Sequence, residues 1–176
     1  QHEPLDADDC HALATTLLEI PGLGFFNAGE AAGASQGHKH LQLVPLPLAG
    51  DEQGLPMAPL LQGAGLEPLK PAHVPALPFR HAVLGLPTAA DGPTLHAAYR
   101  ALCEHLALDP GRDAYNLLVT ADWMLLVPRS QGQVDGIPLN ALAYVGALMV
   151  RSAEQRSELL ARGPWWLLRA AGEAAD

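Results

Sequence analysis

The chain has 176 residues, of which 49% are apolar and few aromatic, and it carries a formal net charge of -9. This composition fits one globular domain able to bury a core and is not that of a disordered chain. It also excludes a general nucleic-acid binder, which would show a basic stripe; Lys39 and Lys70 are the only lysines.

In chain order, Asp6 to Ile20 is predicted helical. Asp6 and Asp8 are placed to cap it, Leu13, Leu17 and Ile20 share a face, and Pro21-Gly22 ends it. Leu23 to Asn27 reads as a short apolar strand, Ala28 to Gly37 as a glycine-rich loop, and His38 to Val44 as a second strand. Pro45 to Pro78 is punctuated by prolines and glycines and is expected to be a long surface or active-site loop with a short helix near Pro59 to Gln62. Phe79 to Leu86 reads as a strand and Pro93 to Leu108 as a helix ended by Asp109-Pro110-Gly111. Tyr115 to Thr120 and Trp123 to Pro128 form a predicted hairpin about Ala121-Asp122. Ala153 to Ala161 and Trp165 to Ala171 are the last helical segments, separated by Gly163-Pro164, and Trp165 and Trp166 are expected to pack in the core. The fold class is α+β with a mainly antiparallel sheet. The expected organisation is a single domain over 1–176, with an active-site part at 1–50, a Pro/Gly-rich connection at 51–78 and a C-terminal part at 79–176.

Cys10 and Cys103 are the only cysteines and lie in no C-x-x-C spacing, which predicts free thiols in a reduced, cytoplasmic protein. No apolar run is long enough to span a bilayer, and no secretory leader is legible. The first residue is Gln1 rather than Met, so the expected start is processed, engineered or incomplete.

The informative segment is Gly33-Ala34-Ser35-Gln36-Gly37-His38-Lys39-His40-Leu41-Gln42. At a strand's period of two, His38, His40 and Gln42 share one face, and Lys39 and Leu41 the other. The preceding small residues can bring backbone N–H groups close to an anion. An imidazole beside an anion cradle suits attack on a phosphate ester. Two other readings of the histidine pair stand beside it. It could be half of a metal site, with Glu30 or Asp51 as a further ligand, or it could be a partly buried pair satisfied by backbone.

These residues carry a resemblance. Asn27 through Pro47, together with Tyr115-Asn116-Leu117-Leu118-Val119-Thr120, Trp123, Val127-Pro128-Arg129-Ser130, Asn140 to Leu148 and Gly163-Pro164, resembles the diadenosine tetraphosphate phosphorylases, or ATP adenylyltransferases, of the histidine-triad superfamily. The resemblance runs from about Asp6 to Gly172. It implies a histidine-triad-like antiparallel sheet with flanking helices. Members carry a substantial segment ahead of the position of Gln1, so the sheet is expected to lack its N-terminal strands. Gly37 stands where the family more often has Pro.

By that resemblance, His40 matches the nucleophile that attacks the α-phosphorus of a bound dinucleotide, forming an adenylyl-histidine and releasing ATP. Phosphate then releases ADP. His38 would orient the nucleophile, its carbonyl holding the N–H of His40. Ser35, with Gly33, Ala34 and Gln36, would bind the transferring phosphate, as would Asn27. Gln42 stands where hydrolases of the superfamily have a third histidine, and an amide does not shuttle protons at neutral pH. Asn116 and Arg129 are candidates for a distal phosphate or base, and Arg80 and His81 for the cleft lining. Lys39 is expected to be solvated on the other face, and His73, His96 and His105 to lie on the surface. The implied partners are nucleotides and phosphate, with neither nucleic acid nor membrane. A divalent cation such as magnesium would travel with the polyphosphate, without a dedicated protein site or an organic cofactor. A uridylyl-transferring relative and a non-catalytic nucleotide-binding fragment are the alternatives.

Overall fold

In the computed structural model, which describes residues 3–48 and 54–174, the first helix is α1, Ala7–Glu19. Asp6 caps it, accepting from the N–H groups of Asp8 and Asp9, while the Asp9 carboxylate accepts from the Asp6 N–H. This reciprocal box leaves three fewer orphan donors at the helix start. Cys10, Leu13 and Ala14 are its buried face, whereas Ile20, expected there, is a half-exposed C-cap.

The central sheet contains β1 (Gly22–Ala28), β2 (Leu41–Pro45), β3 (Ala82–Gly85), β4 (Tyr115–Val119) and β5 (Trp123–Pro128). Its order is β2-β1-β4-β5-β3, with every neighbouring pair antiparallel. The α+β expectation holds, and the β4–β5 hairpin falls where the sequence put it. The four strands other than β2 are buried throughout because both faces are covered. Phe26, Tyr115, Leu117 and Leu126 pack against α1 and α3 (Gly92–His105). Phe25, Leu118, Leu125 and Val127 pack on the opposite face against residues from α2 (Ala58–Gln62), α5 (Trp165–Ala171) and the chain after β5.

The chain after β5 adds elements the sequence reading lacked. These are a small hairpin, β6 (Gln133–Val134) with β7 (Ile137–Pro138), and a 3-10 segment, Ala141–Val145, capped by Asn140. Helix α4 (Ala153–Arg162) follows as expected. The Pro/Gly-rich connection departs from expectation. Leu55, Met57, Leu61, Val74 and Leu77 are core residues, and Pro68 and Ala72 bridge to β3. Its described part therefore covers a sheet edge and one core face rather than forming an open loop, because its apolar side chains recur often enough to be buried. Trp165 and Trp166 are only half-buried, packed at the margin of that core. No helix among the described residues is long and apolar enough to cross a membrane.

Candidate active site

The histidine motif lies at the start of the edge strand rather than inside it. β1 and β2 pair from Gly22↔Pro45 to Phe26↔Leu41, so the ladder begins one residue after His40. His38 and His40 are exposed in the loop, and only Gln42 is a strand residue. The expected alternation survives nonetheless. The rings of His38 and His40 stack on one side of the chain, 5.7 Å apart and 14° from parallel. Lys39 turns the other way and meets Asp9 at 2.5 Å and Asp6 at 3.3 Å. It is an ion-paired anchor onto the cap of α1, not the solvated lysine the sequence suggested, and those carboxylates keep its ammonium above its usual pKa. Continuing the β1–β2 register by one residue sets His40 beside Asn27. Neither ring nitrogen of His40 is hydrogen-bonded among the described residues, so the expected brace from the His38 carbonyl is not formed. Hydrogen bonds of this kind often tighten only when substrate is bound.

The small-residue loop is built differently from the expected cradle. A 3-10 turn over Glu30–Ala32 uses its own donors: Gly33 N–H reaches the Glu30 carbonyl at 2.9 Å and Ala34 N–H the Gly29 carbonyl at 3.2 Å. Gly33 and Ala34 thus have no main-chain donor left for an anion. The N–H groups of Ser35, Gln36 and Gly37, all exposed, have no partner among the described residues. The role of Gly33 is one of shape. Its φ is +84°, and a Cβ there would lie 2.2 Å from the Leu139 carbonyl oxygen, so only glycine lets the loop close onto the segment that follows β7.

Behind this loop lies a buried polar network. Arg129, 4% exposed, donates to the carbonyls of Ala171 (3.0 Å), Gln131 (2.7 Å), Leu139 (3.3 Å) and Ala32 (3.3 Å) and to the side-chain oxygen of Asn116. A guanidinium has five N–H donors, and all are used. Asn116, fully buried, donates through Nδ2 to Ala32 O at 2.9 Å and to Asn27 Oδ1 at 2.7 Å. Asn27 Oδ1 also accepts the N–H of Ala141 at 2.9 Å. The expectation that Asn116 and Arg129 contact a distal phosphate or base is therefore corrected, since neither has a donor to spare. Burial lowers the Arg129 pKa, yet an arginine stays charged, and its guanidinium lies over the Tyr144 ring, 5.1 Å from its centre.

Arg80 and His81 do not line a cleft either. Arg80 binds Glu173 and the Leu106 carbonyl. His81 is buried, its Nδ1 at 2.7 Å from the Phe79 carbonyl and its Nε2 accepting the Val74 N–H at 3.0 Å. Burial, with a smaller contribution from nearby His73, lowers its pKa to about 4. His73 and His105 are exposed and His96 is half-buried on α3. Among the described residues no group of three His, Cys, Asp or Glu is placed to hold a metal ion, and Asp51 lies outside those residues.

An open cleft of about 930 Å³ runs along the loop, lined by Glu30, Gly33, Ala34, Arg112, Gln131 and Arg151 among others. Small-molecule sites are typically of this size. The sequence reading missed Arg112 and Arg151. Nothing local separates them from surface arginines, since one sits in the turn after Asp109-Pro110-Gly111 and the other precedes the Ser152 cap of α4.

Residues 75–174 match the family profile described as the ATP adenylyltransferase C-terminal domain, and residues 1–63 match the Ap4A phosphorylase N-terminal domain. The chain belongs to the ATP adenylyltransferase family. Among curated members of that family from Saccharomyces cerevisiae, it is 32% identical to diadenosine 5',5'''-P1,P4-tetraphosphate phosphorylase 2, across 78% of this chain and 47% of that protein. It is 29% identical to Protein APA1, across 77% and 47%. The chain thus spans about half the length of the curated relatives it matches. Its fold superposes on crystal structures of yeast Ap4A phosphorylase Apa2. With the Ap4A complex the TM-score is 0.85 at 24% identity, covering 98% of this chain and 65% of that one. With the AMP complex the TM-score is 0.83 at 25% identity, covering 98% and 64%.

Proposed function

We propose that this chain supplies the nucleotidyl-transfer centre for reversible phosphorolysis of diadenosine tetraphosphate to ATP and ADP. The observation that carries the reading is the exposed imidazole of His40, one residue beyond the last β1–β2 pair. The β1–β2 register, continued one residue past that pair, puts it opposite Asn27, and it follows the uncommitted N–H groups of Ser35, Gln36 and Gly37. A neutral His40 nitrogen attacks the α-phosphorus, the P–N bond forms, and the P–O bond to the leaving ATP breaks. Inorganic phosphate then attacks the adenylyl group, releasing ADP and restoring the imidazole. Splitting one displacement into two predicts ping-pong kinetics. His38, stacked on His40, orients it. Ser35, Gln36 and Asn27 hold the transferring phosphate, and Arg112 and Arg151 along the cleft suit the remaining phosphates. Gln42 donates a hydrogen bond but no catalytic proton, which favours phosphate over water as acceptor. A divalent cation enters as the polyphosphate's own counter-ion. Two buried free thiols suit a reducing, cytoplasmic setting.

The test uses diadenosine tetraphosphate labelled in its adenylyl group. In the absence of phosphate the chain should retain label on His40, and added phosphate should release it as ADP. Loss of label in His40→Asn supports the assignment, and undiminished labelling in that variant rules it out. A parallel uracil dinucleotide that labels better would move the reading to the uridylyl type, and the absence of any labelled histidine would leave only nucleotide binding.

A further inference from the structure

The buried network holds a full positive charge with no carboxylate partner. Arg129 forms no ion pair among the described residues, and oxygens of carbonyls and one amide solvate it instead. That arrangement is costly as stability alone, because a buried cation without a counter-charge keeps its desolvation penalty. Its direction is informative. The guanidinium can only donate, so Asn116 must turn Oδ1 to it and Nδ2 away. The main-chain N–H of Ala141 can only donate, so Asn27 must turn Oδ1 inward, where it also accepts from Asn116. Both amide orientations are thereby forced by groups whose roles are unambiguous. Asn27 is left with its NH2 outward, without a partner among the described residues and not sealed from solvent.

We infer that Arg129, Asn116 and Asn27 form a one-way hydrogen-bond relay that delivers the buried positive charge to the phosphate of a bound nucleotide through the Asn27 amide. This rests on the nucleotidyl-transfer reading above and assigns Arg129 and Asn116 as positioning residues that never touch substrate. Each donor in a chain polarises the next, and low local dielectric strengthens the effect. Arg129 and Asn116 also both donate to the Ala32 carbonyl, at the end of the turn that launches Gly33 to Gln36. The relay would thus set both the polarity and the position of the phosphate site.

The experiment is calorimetric titration of the full chain with AMP and with inorganic phosphate, alongside the Asn27 side-chain amide signal by NMR. In the parent chain, AMP should move that signal. Asn27→Asp keeps both accepted bonds and so the fold, but removes the outward donor, and its affinity for AMP should fall at least tenfold. Asn116→Asp neutralises Arg129 and breaks the donation to Asn27; AMP affinity should fall similarly, and KM should rise more than kcat falls. Arg129→Lys retains charge with fewer donors and should lose two- to fivefold. A folded Asn116→Asp chain binding AMP within twofold of the parent overturns the relay. Should that variant not fold, unchanged affinity in Asn27→Asp overturns it equally. Labelling of His40 is read separately, so a chain that binds AMP through this relay yet traps no adenylate would count against the transfer reading alone.

Discussion

The two halves of the candidate site are built on opposite principles. The inner half, from Asn27 through Asn116 and Arg129 to the carbonyls of Ala32, Leu139 and Ala171, is buried with nearly every donor committed. The outer half, Ser35 to His40, is exposed apart from the ion-paired Lys39, and its backbone donors and imidazoles are uncommitted among the described residues. Buried polar groups must be satisfied by the protein itself, whereas exposed ones can wait for substrate. The difference separates the residues that shape the candidate site from those proposed to carry its chemistry, and it predicts that the two halves fail differently.

The outer half should fail in activity alone. His40→Asn should lower phosphorolysis at least about a thousandfold, as loss of a nucleophile does, with the thermal midpoint essentially unchanged; a comparable loss of stability would show that the loop is not independent of the core. The inner half, and the loop closed onto it, should fail in folding wherever a substitution breaks its packing. Gly33→Ala places a Cβ against the Leu139 carbonyl at a positive φ, and should cost roughly 3 kcal/mol or more in urea unfolding. A neutral effect would mean that the loop does not close tightly onto Leu139.

Away from the site, His81 gives a graded test of buried commitment. Its pKa lies near 6.5 in an unfolded chain and is lowered to about 4 in the folded one. Between those values the unfolded chain takes up a proton that the folded chain refuses, so stability is full above pH 6.5 and is lost as pH falls toward 4. The loss is on the order of 3 kcal/mol, and His81→Gln should flatten this slope; an unchanged slope would shift the acid sensitivity to other groups. The smallest effect is expected at Gly37, where an added Cβ meets nothing within 4 Å. Gly37→Ala should change stability by less than about 0.5 kcal/mol, and a larger change would show the outer loop to be packed after all.

What could be read from the sequence follows the same division. The face shared by His38 and His40 was legible because alternation survives even where no ladder forms, and the β4–β5 hairpin was legible because apolar runs flank a tight turn. The start of β2 was not, since periodicity reports phase and not hydrogen bonding. The loop donors were misassigned because glycine and alanine reveal smallness but not the 3-10 turn that spends Gly33 and Ala34 N–H on their own carbonyls. Arg129 was misread most. At a strand end, in Pro-Arg-Ser, it reads as a candidate for a distal phosphate or base, because nothing there shows that its donors are spent on carbonyls from residues 32, 131, 139 and 171, which only the fold assembles.

The sheet order has a consequence for inheritance. β1 sits between β2 and β4, so the seam between residues 1–63 and 75–174 runs along a β-ladder and through the Asn27–Asn116 bond. The two profile regions cannot be exchanged between relatives as separate cassettes without also matching that seam. Cut in the connection, they should behave as complementing fragments, each recovering its structure only in the presence of the other.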